Sequence, residues 1–221
     1  MSGTTMTGRD SASSPHVGEP VLAAGEPLEQ ARAALVLVHG RGASAANILE
    51  LAAELRAPGF AYLAPQATGG SWYPYSFLVP LERNEPCLSA ALAALGALVA
   101  RIAAAGVPPE RTVLLGFSQG ACLTLEFAAR NARRYGGLVG LSGGLIGPDG
   151  TPRDYAGSLA GTPVFLGCSD VDPHIPRPRV EHTAAVLRAL GAEVTMQLYP
   201  NLGHTVNEDE MEHVRGLLTR L

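Results

Sequence analysis

The chain contains no lysine: all 16 basic residues among its 221 are arginine. Chemistry that needs a side-chain amine is thereby excluded, including a Schiff base, a pyridoxal-phosphate anchor, a phosphate-loop lysine and a Ser–Lys dyad. Cysteine is scarce. Cys87, Cys122 and Cys168 are odd in number and widely spaced, which fits neither a disulfide framework nor a metal-ligand pattern. They read as buried small hydrophobes in a reducing compartment. Charged residues make up only 16%, and a net charge of −4 is a poor footprint for a nucleic-acid binder. No apolar run reaches the ~20 residues that span a bilayer. The longest, residues 87–100, reads as a buried helix. Residues 1–19 lack the apolar core of a secretory signal and read as a flexible tail. The expectation is a single domain over residues 20–221, in the cytoplasm, as a monomer or small homo-oligomer, with no metal, no nucleic-acid partner and no stable membrane insertion.

What the chain does have is apolar mass: 47% of it is hydrophobic, punctuated by 26 Gly and 17 Pro. Residues 34–39, 112–117, 138–142 and 163–168 are short, continuous apolar runs. Continuous rather than alternating runs predict strands buried on both faces, as in a parallel sheet. Residues 60–64 and 194–199 are two further strands, and residues 21–24 an edge strand. Helical patterns separate them. Residues 45–56 follow Ser44, a good N-cap, and stop at Pro58-Gly59; residues 85–105 end at Gly106. Residues 119–131, 179–190 and 208–221 complete the set. Arg130, Arg133 and Arg134 crowd the end of the third helix, where the helix dipole favours cations. Such alternation predicts an α/β fold with a doubly wound, mostly parallel sheet. Two long loops, residues 65–84 and 143–161, follow strands and should border a site at the strands' carboxyl ends.

Gly116-Phe117-Ser118-Gln119-Gly120 has the form G-x-S-x-G between a strand and a helix. A sharp turn there projects Ser118, and the flanking glycines avoid a clash. Serine is a poor nucleophile at neutral pH and needs a base, which in turn needs an orienting carboxylate. His174, His182, His204 and His213 follow Ser118 in the chain. His204 lies in the loop between the last strand and the last helix, the expected place for the base; His182 and His213 fall within helices and read as surface residues. After the 163–168 strand, Asp170 and Asp172 both qualify as the acid. Asp172 is favoured by its Pro-punctuated turn, Asp172-Pro173-His174-Ile175-Pro176, with Asp170 shaping the loop and His174 structural. The backbone N–H of Gln119 and that of Arg41, in His39-Gly40-Arg41-Gly42, are the candidate oxyanion donors. The Arg41 contribution is its backbone, and the sequence leaves its side chain open to substrate or solvent.

At these residues the chain resembles the carboxylesterase/phospholipase family of serine hydrolases, from about residue 35 onward. The resemblance rests on the segments beginning at His39, Gly116 and Asp172 and on the pair Gly203-His204, in the family's order and spacing. It implies a minimal α/β-hydrolase fold without a cap domain, and hydrolysis of carboxylic esters or thioesters without a cofactor. It carries the nucleophile, acid and base onto Ser118, Asp172 and His204, and the oxyanion donors onto Arg41 and Gln119. Where the family commonly has an aliphatic residue and an acid, this chain has Arg41 and Ala43. Four aromatics fall within residues 71–77: Trp72, Tyr73, Tyr75 and Phe77. They are expected to wall an apolar acyl or alcohol pocket, with Leu145 and Ile146 opposite. The leading reading is a serine esterase acting on small ester substrates of short to medium chain. A lysophospholipase or thioesterase would use the same residues. A non-catalytic binding module on a hydrolase scaffold is the reading from a different class.

Overall fold

Apolar residues at every position of a strand require cover on both sides, and that requirement sets the architecture. The computed structural model describes residues 15–55 and 57–221, so most of the expected tail and Arg56 lie outside the described residues. Seven strands form one sheet: β1 (Val21–Gly25), β2 (Ala33–Val38), β3 (Phe60–Pro65), β4 (Thr112–Phe117), β5 (Gly137–Leu141), β6 (Pro163–Ser169) and β7 (Glu193–Tyr199). Their order is β1-β3-β2-β4-β5-β6-β7. Only the β1–β3 pair is antiparallel. Among the described residues five α-helices pack on it: α1 (Ala45–Leu55), α2 (Cys87–Ala104), α3 (Gln119–Arg130), α4 (Arg177–Ala189) and α5 (Glu208–Leu218).

The two faces of β2 show the logic. Ala34, Val36 and Val38 point into one core layer with residues of α2, α3 and α4. Ala33, Leu35 and Leu37 point into the other, beneath α1 and α5. The period-2 alternation of side chains makes every second residue serve one layer. By length and composition alone, α2 is long and apolar enough to cross a membrane. Here its Leu88, Ala91, Leu95 and Ile102 are buried in the core instead.

Several boundaries differ from the sequence expectation. The second helix starts at Cys87, with Pro86 at its N-cap, rather than at Glu85. The fourth starts at Arg177, two residues early, because a proline in the first turn gives up an N–H that would have no intrahelical partner. α5 ends at Leu218. The described end of the expected tail is anchored. His16 is buried; its N–H donates to Thr68 Oγ1 (3.0 Å), its Nδ1 accepts from the Thr68 N–H (3.1 Å), and its Nε2 donates to the Trp72 carbonyl (3.0 Å).

Candidate active site

The site forms where β4 turns into α3. Ser118 occupies the N-cap with φ 54° and ψ −117°, a backbone region that costs an L-residue energy and persists only where the surroundings enforce it. The surroundings do so through two glycines. A Cβ on Gly116 would lie 2.3 Å from the Gly120 carbonyl oxygen, and one on Gly120 would lie 2.1 Å from the Val38 carbonyl oxygen. Neither contact is physically possible, so the close approach of β2, β4 and α3 requires both residues to be glycine. The Ser118 N–H donates to the Leu141 carbonyl (2.9 Å), which ties the turn to β5.

His204 reaches this turn from the loop between β7 and α5. Its Nε2 lies 2.8 Å from Ser118 Oγ, and its Nδ1 lies 2.7 Å from Asp172 Oδ2. Asp172 follows β6 and its side chain is fully buried, whereas His204 keeps 19% of its side chain exposed. Four donors surround the carboxylate. Oδ2 accepts from His204 and, at 3.8 Å, from the Cys168 thiol; Oδ1 accepts the N–H groups of His174 (2.8 Å) and Ile175 (3.0 Å). Burial would raise the Asp172 pKa, but the His204 and backbone hydrogen bonds outweigh it and hold the group below its ordinary value. Asp172 is therefore an anion at neutral pH, able to orient the imidazole. Burial and the neighbouring Asp172 charge push the Cys168 thiol up to about 12, so it keeps its proton. Asp170 does shape the loop, accepting the Asn201 N–H at Oδ1 (2.9 Å).

The loop after β2 lies against the same turn. A Cβ on Gly40 would sit 3.4 Å from Ser118 Cβ. His39 fixes the loop from beneath: it donates Nδ1–H to the Gly40 carbonyl (2.8 Å) and accepts the Ala67 N–H at Nε2 (3.1 Å). Burial lowers the His39 pKa, so it serves as a neutral strut. Gln119 is the first residue of α3, where a backbone N–H has no intrahelical acceptor. Among the described residues, neither the Gln119 nor the Arg41 backbone N–H donates to a protein group.

The side chains of both residues have a second task. Arg41 Nη1 donates to Ser71 Oγ (3.0 Å) and the Pro74 carbonyl (2.8 Å), and Nη2 donates to the Tyr75 carbonyl (2.7 Å). Gln119 Oε1 accepts the Trp72 N–H (2.9 Å), and its Nε2 donates to the Tyr73 carbonyl (2.8 Å). The aromatic loop is thus strapped to the oxyanion loop and the elbow. The Arg41 side chain, left open by the sequence to substrate or solvent, is exposed and lines the cleft, with part of its fork anchored on backbone carbonyls.

A cleft of about 310 Å³ opens over Ser118, lined by Arg41, Tyr73, Ser76, Phe77, Gln119, Cys122, His174, Ile175 and His204. A larger cavity, about 580 Å³, lies between β7 and α5 and includes none of the candidate catalytic residues. Two of the six expected pocket residues, Tyr73 and Phe77, line the cleft. Trp72 does not. It is fully buried, donates Nε1–H to the His39 carbonyl (2.9 Å) and packs at a tilt against the rings of His16 and His39. Tyr75 points outward, 48% exposed, under the Arg83 guanidinium. Leu145 and Ile146 are fully buried core residues, held by hydrogen bonds to Thr183 and Glu126, and do not line the cleft. The sequence reading missed His174, Ile175 and Cys122 as lining residues. His174 packs edge-on against His204, ring centroids 4.8 Å apart. Its one sequence signal was its place two residues after Asp172. Burial pushes the Cys122 thiol up to about 12, so it keeps its proton. Among the described residues no cluster of His, Cys, Asp or Glu is arranged to hold a metal ion.

A parallel sheet with one antiparallel edge, a strained serine at a strand–helix elbow and a histidine from the last β–α loop define an α/β-hydrolase. The phospholipase/carboxylesterase family model matches residues 21–220, and the chain belongs to that family. The crystal structure of a phospholipase/carboxylesterase from Dyadobacter fermentans is similar at 43% identity, covering 91% of this chain and 97% of that one, with a TM-score of 0.88. The crystal structure of esterase PE8 is similar at 25% identity, with the same coverages and a TM-score of 0.72. Acyl-protein thioesterase 1 of Gibberella zeae is 31% identical over 121 residues, 52% of this chain. The matched region spans about half the length of that relative and of its fungal counterparts.

Proposed function

We propose that this protein is a serine hydrolase that cleaves carboxylic esters of short to medium chain through an acyl-enzyme. The observation that carries this reading is the chain of contacts Ser118 Oγ–His204 Nε2 (2.8 Å) and His204 Nδ1–Asp172 Oδ2 (2.7 Å). His204 takes the Ser118 proton as Oγ attacks the ester carbonyl, while Asp172 holds the imidazole and stabilises its charged form. The developing oxyanion is received by the backbone N–H groups of Arg41 and Gln119; losing one such donor costs ~3–4 kcal/mol at the transition state. His204 returns the proton to the departing alkoxide. Water, deprotonated by His204, then attacks the acyl-enzyme and releases the acid and free Ser118.

The modest cleft supports small substrates over long acyl chains. A thioesterase reading is favoured by one observation, the 31% identity over 121 residues to an acyl-protein thioesterase, and a lysophospholipase would use the same residues. The proposal includes action in a reducing cytoplasm, for which the free thiols of Cys87, Cys122 and Cys168 speak, and function without a cofactor or nucleic-acid partner, as a monomer or small homo-oligomer without stable membrane insertion.

The test is hydrolysis of p-nitrophenyl esters from acetate to palmitate by wild type and Ser118→Ala. Wild type should turn over the shorter esters, and the variant should lose about 10⁶ in kcat. Equal activity in both proteins would overturn the assignment. An optimum at the longest chains would move it to the lysophospholipase or thioesterase reading.

A further inference from the structure

Among the described residues the Arg41 guanidinium has no ion-pair partner. Three of its five N–H groups are spent on neutral acceptors: Ser71 Oγ and the carbonyls of Pro74 and Tyr75. Among the described residues no carboxylate pairs with it, although acidic residues outnumber basic ones over the chain, 20 to 16. Other arginines also lack a carboxylate partner, among them Arg83 and Arg188, but Arg41 is the arginine that lines the cleft over Ser118. Loop-strapping alone would be served by an uncharged donor. The fork is also immobilised, so recruiting it to a ligand costs little side-chain entropy.

The same cleft contains no free anion. Its lining residues are Arg41, His174, His204 and neutral groups, and Asp172, the partner of His204, is fully buried with both oxygens satisfied. A fixed cation beside the nucleophile, with unused N–H groups, is complementary to a carboxylate on the substrate.

We propose that the ester substrate carries its own carboxylate, held by the Arg41 guanidinium while Ser118 attacks the ester carbonyl. This rests on the ester-hydrolase reading above and narrows it to acidic esters: half-esters of dicarboxylic acids, or esters of hydroxy acids. The chemistry of the step is unchanged, and the carboxylate stays a bystander that orients the carbonyl.

The test compares charged and uncharged esters of the same shape. Monoethyl glutarate is paired with its amide analogue, ethyl 4-carbamoylbutanoate, for a carboxylate on the acyl side. O-acetylglycolate is paired with O-acetylglycolamide for the alcohol side. Wild type should favour the charged member of at least one pair by about tenfold or more in kcat/KM, expressed mainly in KM, and added salt should shrink the preference. In Arg41→Gln that ratio should fall toward unity, whatever happens to the absolute rates. The ratio is the readout because the Arg41 backbone is part of the site. A second measurement needs no turnover: glutarate should bind Ser118→Ala by titration calorimetry, and bind it at least about tenfold more weakly once Arg41→Gln is added. Hydrolysis of both pairs without a charge preference overturns the acidic-ester inference and leaves the esterase reading intact. Arg41-dependent glutarate binding in a protein that hydrolyses no ester overturns the esterase reading and leaves the carboxylate site standing.

Discussion

Asp172 and His204 are joined by a 2.7 Å hydrogen bond whose acceptor is fully buried, while its second oxygen is held by two backbone N–H groups. The carboxylate cannot rotate without breaking all of these bonds, so the imidazole is fixed in the tautomer that leaves Nε2 free to accept from Ser118. Asp172→Asn keeps the shape but offers an amide donor to Nδ1. In ester hydrolysis the variant should lose about 10⁴ in kcat with little change in KM. Retained kcat with intact folding by circular dichroism would remove Asp172 from the mechanism.

The glycines make a paired prediction. Gly120→Ala pushes a methyl group to within 2.1 Å of the Val38 carbonyl oxygen, where backbone must move. The variant should lose several kcal/mol, beyond the ~1–3 of ordinary overpacking, or fail to fold. Gly216 lies inside α5 with nothing within 4 Å of its notional Cβ. There Gly216→Ala should stabilise by about 0.5–1 kcal/mol. Urea denaturation of both variants distinguishes steric need from mere presence.

Glu210 makes stability depend on pH. It caps α5 through a reciprocal box with Asn207, yet it is fully buried, and its Oε1 has no hydrogen-bond partner. Burial pushes its pKa from 4.5 up to about 7. The folded state then binds more protons than the unfolded one between those values, so stability falls as pH rises through that window and levels off above it. The loss at mildly alkaline pH is on the order of 3 kcal/mol. Glu210→Gln should flatten the melting temperature between about pH 5 and pH 8 and exceed wild type at the upper end. A variant that matches the wild-type slope would show that other groups set it.

Trp72 separates structure from binding. It is the only tryptophan, fully buried, with its indole N–H on the His39 carbonyl. Trp72→Phe strands that carbonyl and should cost about 1–3 kcal/mol. If Trp72 serves the core, KM for small esters should move less in Trp72→Phe than in Phe77→Ala, whose side chain lines the cleft. The opposite order would return Trp72 to the substrate.

The core strands were legible because each carries apolar residues on both faces, which only a covered sheet satisfies. Thr112–Phe117 matches its expected range and Phe60–Pro65 gains one residue; the edge strand Glu193–Tyr199, which exposes Glu193, Thr195 and Gln197, also gains one. The elbow was legible because G-x-S-x-G between a strand and a helix encodes a local clash avoided by glycine. The aromatic loop was not. Four aromatics within residues 71–77 promise a wall, but nothing local says which rings face inward. Trp72 is drawn under by the His39 carbonyl, and Tyr75 is turned outward under Arg83; both partners are distant in sequence.

By itself, then, the sequence determined what local sterics and periodicity can encode: the alternation of strands and helices, the doubly wound sheet, the serine turn and the order of Ser118, Asp172 and His204 along the chain. Only the tertiary structure decided what depends on partners far along the chain. It brought His204 to within 2.8 Å of a serine 86 residues away, spent the Arg41 fork on carbonyls 33 and 34 residues on, set His174 against the base, and sent Leu145 and Ile146 into the core. A side chain's direction is fixed by what lies opposite it when the layers close, and that neighbour is not written within any one segment.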